Sequence, residues 1–234
     1  MTTPTVSIIV PTYGRPQHLA ECLDSIAATV NLPHEVICVP VADDEATLAL
    51  LRDRPEASLR IVEQAERAGF VRAANLGFRV AQGEWVGQLN DDCILMPHAI
   101  ANAVRFMTAP AHEGRIGQAA FFHSTPLARN LHQQIDVEGV RYIVAHVRGL
   151  CFANFGLVRR SLGEELGWYD ERYTMYGADP DFSLKVWHEA KLEVAPCPGA
   201  LVRHALLEDE RAKHDRHHQH DADNRLLFEK WTLD

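Results

Sequence analysis

The sequence predicts an α/β fold in which a mostly parallel central sheet is flanked by helices. Short β-rich apolar runs alternate with stretches of helical periodicity from Val6 to Leu89, the pattern of βαβ units. At 234 residues, with 47% hydrophobic and 24% charged side chains, the chain fits one large globular domain or two small ones. One run, Glu84 to Leu89, ends on Asn90-Asp91-Asp92. Carboxylates at the C-terminal end of a strand face the cleft where ligands of open α/β sheets collect.

Val6-Ser7-Ile8-Ile9-Val10 reads as a buried first strand stopped by Pro11. Residues 11–16 form a turn, and Pro16 suits the first helical position, where an N–H would go unpaired anyway. Leu19, Cys22, Leu23 and Ile26 then recur at helical spacing to about Thr29. Glu35–Val39 is a second strand closed by Pro40, followed by a helix with Leu48 and Leu51 inward and a strand at Leu59–Val62. Gly69 opens a third helix through Phe70, Ala73, Ala74, Gly77 and Ala81, with Gly83 expected at its C-terminal cap. Right-handed crossovers put the loops after parallel strands on one edge. Thr12, the 40–44 loop and Asp91-Asp92 are therefore expected to share one mouth.

Beyond Pro97 a helix is expected to about Thr108. Arg115 to Arg148 is rich in strand formers but gives no order by periodicity. Residues 149–152 and 157–162 read as a strand running into a helix. Asp179-Pro180-Asp181 opens another helix, with Phe182, Val186 and Ala190 as its inner stripe. Short strands at Leu192–Ala195 and Ala200–Arg203 follow, then a charged, His-rich tail closing on amphipathic Leu226–Trp231.

A formal charge of −9 argues against a general nucleic-acid binder, which needs a basic face. Cys22, Cys38, Cys93, Cys151 and Cys197 form no CxxC pair and read as free thiols of a reducing compartment. No apolar run approaches the ~18 residues of a membrane span, and Met1–Thr5 lacks the build of a signal peptide. A cytoplasmic address is the expectation.

Adjacent carboxylates repel each other, and a hard divalent cation relieves that while sharing its shell with phosphate oxygens and water. Asn90-Asp91-Asp92 is thus either a metal-assisted diphosphate site or a solvated acidic turn. Taken in order, Val6–Pro11 with Thr12-Tyr13, the Asn75-Leu76-Gly77 helix, Gly83–Val86, Leu89–Asp92, Tyr176–Asp181 and finally His204 resemble the family 2 glycosyltransferases. These are nucleotide-sugar enzymes of the GT-A fold, and the resemblance runs from about residue 5 to about residue 204.

The resemblance implies one domain with a nucleotide-binding half (1–95), an acceptor and catalytic half (96–205) and a C-terminal tail and helix (206–234). Asn90-Asp91-Asp92 stands for the family's DXD motif. Asp92 would bind Mn²⁺ or Mg²⁺, and Asp91 the ribose or the metal's water shell. His204 would be a further metal ligand, and its imidazole favours Mn²⁺. Pro11, Thr12, Tyr13, Arg15, Asp43, Asp44, Arg72, Asn75 and Asn90 complete the donor side. Arg72 is either a diphosphate contact or a solvated helix arginine.

Asp179 matches the catalytic-base position; Asp179 and Asp181 otherwise serve as helix-capping acids. The chain departs from the family in three places. Pro40-Val41 replaces an acid pair that reads the base, Gly14 replaces a frequent Asn, and Ala178 replaces a common Glu. The implied reaction is an inverting transfer from a nucleoside-diphosphate sugar to a glycan, a lipid-linked sugar or another hydroxyl acceptor. Peripheral contact with a membrane is left open.

His214, His217, His218 and His220 read as a solvated tract or a metal tract, or, as the resemblance implies, as part of a lid that orders over bound donor, with Phe228 and Trp231 docking the last helix. Phe121, Trp168, Tyr169, Tyr173 and Tyr176 either stack on a sugar or fill the core. Two rival functions remain. A nucleotidyltransferase of similar fold needs a Gly-rich basic loop that residues 12–16 lack. A non-catalytic nucleotide-sugar or glycan binder is kept alive by Pro40-Val41 and Ala178.

Overall fold

The structure, a computed structural model, describes residues 4–125, 130–205, 207 and 210–232, with 210–219 as backbone alone. The first half runs β1 (Val6–Pro11), α1 (Pro16–Thr29), β2 (His34–Val39), α2 (Glu45–Arg52), β3 (Leu59–Ile61), α3 (Phe70–Val80) and β4 (Trp85–Gln88). These strands pair in parallel in the order β3-β2-β1-β4. Both faces of this sheet are covered, which is why its strands are continuous apolar runs. Ile8, Val10 and Cys38 pack under Leu19, Cys22, Leu23 and Ile26 of α1. Ile9, Ile37 and Val39 face Val71, Ala74 and Phe78 of α3.

Gly77 lets α3 lie directly on β1, since a Cβ there would stand 2.3 Å from Ile9 Cγ2. Gly83 corrects an expectation. The helix ends at Val80 with Ala81 as its cap, and Gly83 instead passes so close to β1 that a Cβ would meet Ser7 N at 2.5 Å.

The second half continues β5 (Cys93–Leu95), α4 (Ala99–Met107), β6 (Ile116–Ser124), β7 (Leu131–Val137), β8 (Val140–Val147), β9 (Leu150–Phe152) and β10 (Gly156–Arg159). Then come α5 (Arg160–Glu165), α6 (Ala178–His188), β11 (Glu193–His204) and α7 (Glu210–Lys230). The sheet turns mixed where β10 enters antiparallel between β4 and β6; β11 then runs parallel to β6 and antiparallel to β5. Parallel order thus holds at β3-β2-β1-β4 and again at β6-β11.

The unordered 115–148 stretch is β6 followed by the β7–β8 hairpin. The two strands expected at 192–203 are one, β11, with an irregular register between Pro196 and Leu201. Between 149 and 162 two short strands precede the helix instead of one.

All five cysteines are buried and unpaired. Phe121, Trp168, Tyr169 and Tyr173 are core residues, with Trp168 stacked on Phe78 at 4.5 Å. In α7, Leu227 is the buried anchor, Trp231 packs beside it, and Phe228 is exposed, contrary to its expected docking role. Among the described residues no helix is long and apolar enough to cross a membrane.

Candidate active site

Pro11 ends β1 because it has no N–H to extend the ladder, and Thr12 turns toward the end of β4. There Asp91 and Asp92 are both buried, 1% and 6% exposed. Thr12 Oγ1 donates to Asp91 Oδ2 at 3.0 Å, and the Tyr13 N–H reaches the same oxygen at 3.4 Å. Buried Arg15 bridges the pair, its Nη1 lying 3.4 Å from Asp91 Oδ1 and 3.3 Å from Asp92 Oδ2. Asp44 caps α2 through the Thr47 N–H and accepts the Gly14 N–H at 2.6 Å. The three loops expected to share one mouth do so.

β11 runs antiparallel to β5 and sets His204 opposite Cys93, next to Asp92. The His204 N–H donates to Ser124 Oγ, and its ring stands edge-on to Phe155 at 5.3 Å. Nε2 lies 3.2 Å from Asp92 Oδ1 and 3.4 Å from Asn90 Nδ2. Burial pushes the Asp92 carboxyl up, but nearby His204 and Arg15 more than offset it and hold it below the usual range.

Although His204 is within ion-pair distance, Asp92 Oδ1 is buried without a hydrogen-bond donor. The distance is right and the direction wrong for an N–H bond. A ring nitrogen and a carboxylate oxygen side by side, neither bonded to the other, are arranged as two ligands flanking one ion, so the pair could hold a divalent cation. Cys93 has its sulfur within 4.8 Å of both, yet burial pushes that thiol well above its ordinary value. Sulfur is a soft ligand, so Asp92 and His204 are the two of the three better suited to a hard cation.

Asp179 lies in the first turn of α6, behind Gly177, whose φ of 79° is a left-handed conformation suited to glycine. Neither Asp179 nor Asp181 caps the helix: no side-chain cap bond is formed. Asp179 is half-buried and accepts the Tyr169 hydroxyl at 2.7 Å. Burial pushes its carboxyl up to about 7, and the Tyr169 bond pulls the other way. A carboxyl titrating near neutrality is what a general base requires.

Tyr169 and Gln88 line one cavity together with Gln118 and Asn154. Gln88 Nε2 donates to Asn90 Oδ1 at 2.8 Å. Tyr169, the hydroxyl donor to Asp179, and Gln88, the partner of Asn90, thus line the same cavity.

The other residues expected on the donor side have these surroundings. Asn75 is 3% exposed, and its amide is taken by the Tyr169 backbone and by Glu171; it ties α3 to the second half of the chain. Arg72 Nε stands on the exposed side of α3, 4.0 Å from Glu171 Oε2. Asp43 is exposed beside Asp44, and Arg67 covers the Tyr13 ring at 4.7 Å. His220 stands edge-on to Tyr176, while the side chains of His214, His217 and His218 lie outside the described residues. Sequence reasoning missed Gln88 and the partnership of Tyr169 with Asp179, because each depends on long-range packing.

The model of glycosyl transferase family 2 matches residues 7–167. The glycosyltransferase YwdF of Bacillus subtilis is 26% identical over 211 residues, which is 84% of this chain and 73% of that protein. The O-antigen biosynthesis protein RfbC of Myxococcus xanthus is 31% identical over 112 residues, 46% of this chain and 9% of that one. Among solved structures, the mannosyltransferase PcManGT from Pyrobaculum calidifontis, in complex with GDP-Man and Mn²⁺, aligns with a TM-score of 0.71 at 22% identity. That alignment covers 100% of this chain and 65% of the other. S. aureus TarS 1-349 in complex with UDP-GlcNAc aligns with a TM-score of 0.67 at 16% identity, over 89% of this chain and 60% of that chain. This chain therefore spans less than two thirds of these solved chains. At such identities the likeness speaks for the GT-A fold and leaves the substrate open. With the family match covering well over half of its length, the chain belongs to glycosyl transferase family 2.

Proposed function

We propose that this chain is an inverting, metal-dependent glycosyltransferase that moves a sugar from a nucleoside-diphosphate donor to a hydroxyl acceptor in polysaccharide or glycoconjugate synthesis. The observation that carries it is the buried Asp92 Oδ1, 3.2 Å from His204 Nε2 and without a donor of its own. Asp92 and His204 would hold Mn²⁺ or Mg²⁺, which supplies positive charge for the departing diphosphate. The bound Mn²⁺ named for PcManGT agrees with the His204 ligand in favouring manganese.

The rest is work for the chain's own residues. Thr12, the Tyr13 N–H and Arg15 hold Asp91 and Asp92 at the mouth where the donor enters. Asp179 takes the proton of the acceptor hydroxyl, whose oxygen forms a bond to the anomeric carbon. The bond from that carbon to the diphosphate oxygen breaks, and the nucleoside diphosphate leaves with the electron pair. Tyr169 fixes the Asp179 carboxyl and favours its ionised form before the proton arrives. One base and one displacement invert the anomeric centre.

The test is a panel of nucleoside-diphosphate sugars with Mn²⁺ and glycan acceptors, read as nucleoside diphosphate release. Release from one donor, lost in Asp179→Asn while donor binding survives, supports the proposal. Pyrophosphate release from a nucleoside triphosphate and a sugar 1-phosphate would instead identify a nucleotidyltransferase. Binding with neither transfer nor slow donor hydrolysis would leave a non-catalytic binder.

A further inference from the structure

The turn that delivers Asp179 is gripped from both sides by α7. Before Asp179, the backbone N–H groups of Thr174, Met175 and Tyr176 converge on the carboxylate of Asp223, at 3.1, 3.0 and 2.8 Å. Successive N–H groups arranged this way form a nest for an anion, and here the anion is a side chain with 4% exposure. After Asp179, Asp181 is fully buried and accepts from Trp231 Nε1 at 2.7 Å and from Tyr173 Oη at 3.3 Å, with Lys230 Nζ at 2.8 Å. Lys230 also reaches Asp170, 2.9 Å away, at the start of the same loop. Burial pulls Lys230 down, but these two carboxylates hold it above its ordinary value.

The two acids of Asp179-Pro180-Asp181 therefore have different tasks. Asp181 is spent on the last turn of α7 and its flanking Trp231. Asp179 engages only Tyr169 among the described side chains. Between the anchors the chain has little room, since a Cβ on Gly177 would stand 2.9 Å from the Tyr173 ring and 3.4 Å from the Asp223 carbonyl oxygen.

We infer that α7 is a clasp that positions the base, with Asp223 as its main positioning residue acting through the 174–176 backbone, and with Lys230 and Trp231 as the second hold. The inference rests on the reading of Asp179 as the base. A carboxyl that must meet an acceptor hydroxyl at hydrogen-bond distance loses rate steeply when its turn drifts. Donor binding, built by β1, β4 and β11, should be untouched.

The experiment compares Asp223→Ala, Asp223→Asn, Trp231→Phe and Asp179→Asn in the full chain. It reads kcat with the best donor–acceptor pair and the affinity for its nucleoside diphosphate with Mn²⁺. Asp223→Ala is expected to lower kcat ~10–100-fold with nucleotide affinity held within about twofold, a split that marks lost positioning. Asp223→Asn, whose amide oxygen can still accept, should recover part of that loss. Trp231→Phe keeps an aromatic ring at this partly exposed site and removes the Nε1–H donor, so it should fold and lose ~3–10-fold in kcat.

Wild-type kcat in both Asp223→Ala and Trp231→Phe overturns the clasp. So does a fall in nucleotide affinity parallel to kcat, which marks general loosening. Should Asp223→Ala not fold, the same criteria apply to Trp231→Phe and Asp223→Asn. Wild-type turnover in Asp179→Asn rejects the base reading itself. An inactive Asp179→Asn beside fully active Asp223→Ala and Trp231→Phe rejects the clasp alone.

Discussion

Tyr169 donates its hydroxyl to Asp179 Oδ1 at 2.7 Å from a ring packed edge-on against Phe78 and Phe182. The same tyrosine's backbone is held by the Asn75 amide, through both its N–H and its carbonyl. A helix of the first half thus sets the position of the acid in the second.

Tyr169→Phe removes a bond that favours ionised Asp179, so the carboxyl should titrate still higher than about 7. The acidic limb of the kcat/KM profile then moves to higher pH, and activity at pH 6.5 falls ~2–10-fold. An unchanged limb would show that Asp179 does not govern it.

Asp179→Asn should stabilise the protein at alkaline pH. A carboxyl raised from its unfolded value to about 7 favours the fold most when protonated. That contribution is full below the unfolded value near ~4 and is lost as pH rises through about 7. Denaturation curves of wild type and variant should nearly coincide at pH 4 and separate at pH 8, with the variant ~1–3 kcal/mol more stable.

Arg15→Gln leaves two buried carboxylates without their shared guanidinium. A loss of ~2–4 kcal/mol is expected. Because the unrelieved repulsion sits at the proposed cation site, Mn²⁺ should raise the variant's Tm more than the wild type's. Equal Mn²⁺ shifts would argue that the ion binds elsewhere.

Gly77→Ala tests the packing of α3 on β1. Its Cβ would stand 2.3 Å from Ile9 Cγ2 and 3.3 Å from Val39 Cγ2, both side chains of the buried sheet. The expected cost is ~1–3 kcal/mol, read as a lower midpoint in urea unfolding.

The parallel half was legible because strands covered on both faces leave continuous apolar runs, as Val6–Val10 and Val36–Val39 do. Shorter pieces were not. Cys93–Leu95 is a three-residue strand with no period to detect, and the β7–β8 hairpin turns on Glu138-Gly139, with φ of 52° and 78°. Glu-Gly is not among the usual two-residue hairpin signals. In the site, the placement of Asp91 and Asp92 beside Thr12 is legible because it follows from a strand end and its neighbouring loop. The tie from Asn75 to Tyr169 and Glu171 is not legible, because those partners are more than ninety positions away. Asp179 and Asp181 look alike in the sequence and were separated only by Tyr169 on one side and Trp231 on the other.

A cation joining Asp92 and His204 to a donor diphosphate is the centre of the proposed mechanism. Calorimetric titration of the chain with a panel of nucleoside diphosphates, each with and without Mn²⁺, examines it directly. One of them should bind only with the metal, and Asp92→Ala should abolish that binding. Binding of equal strength in a chelator, or in the Asp92→Ala variant, would contradict it.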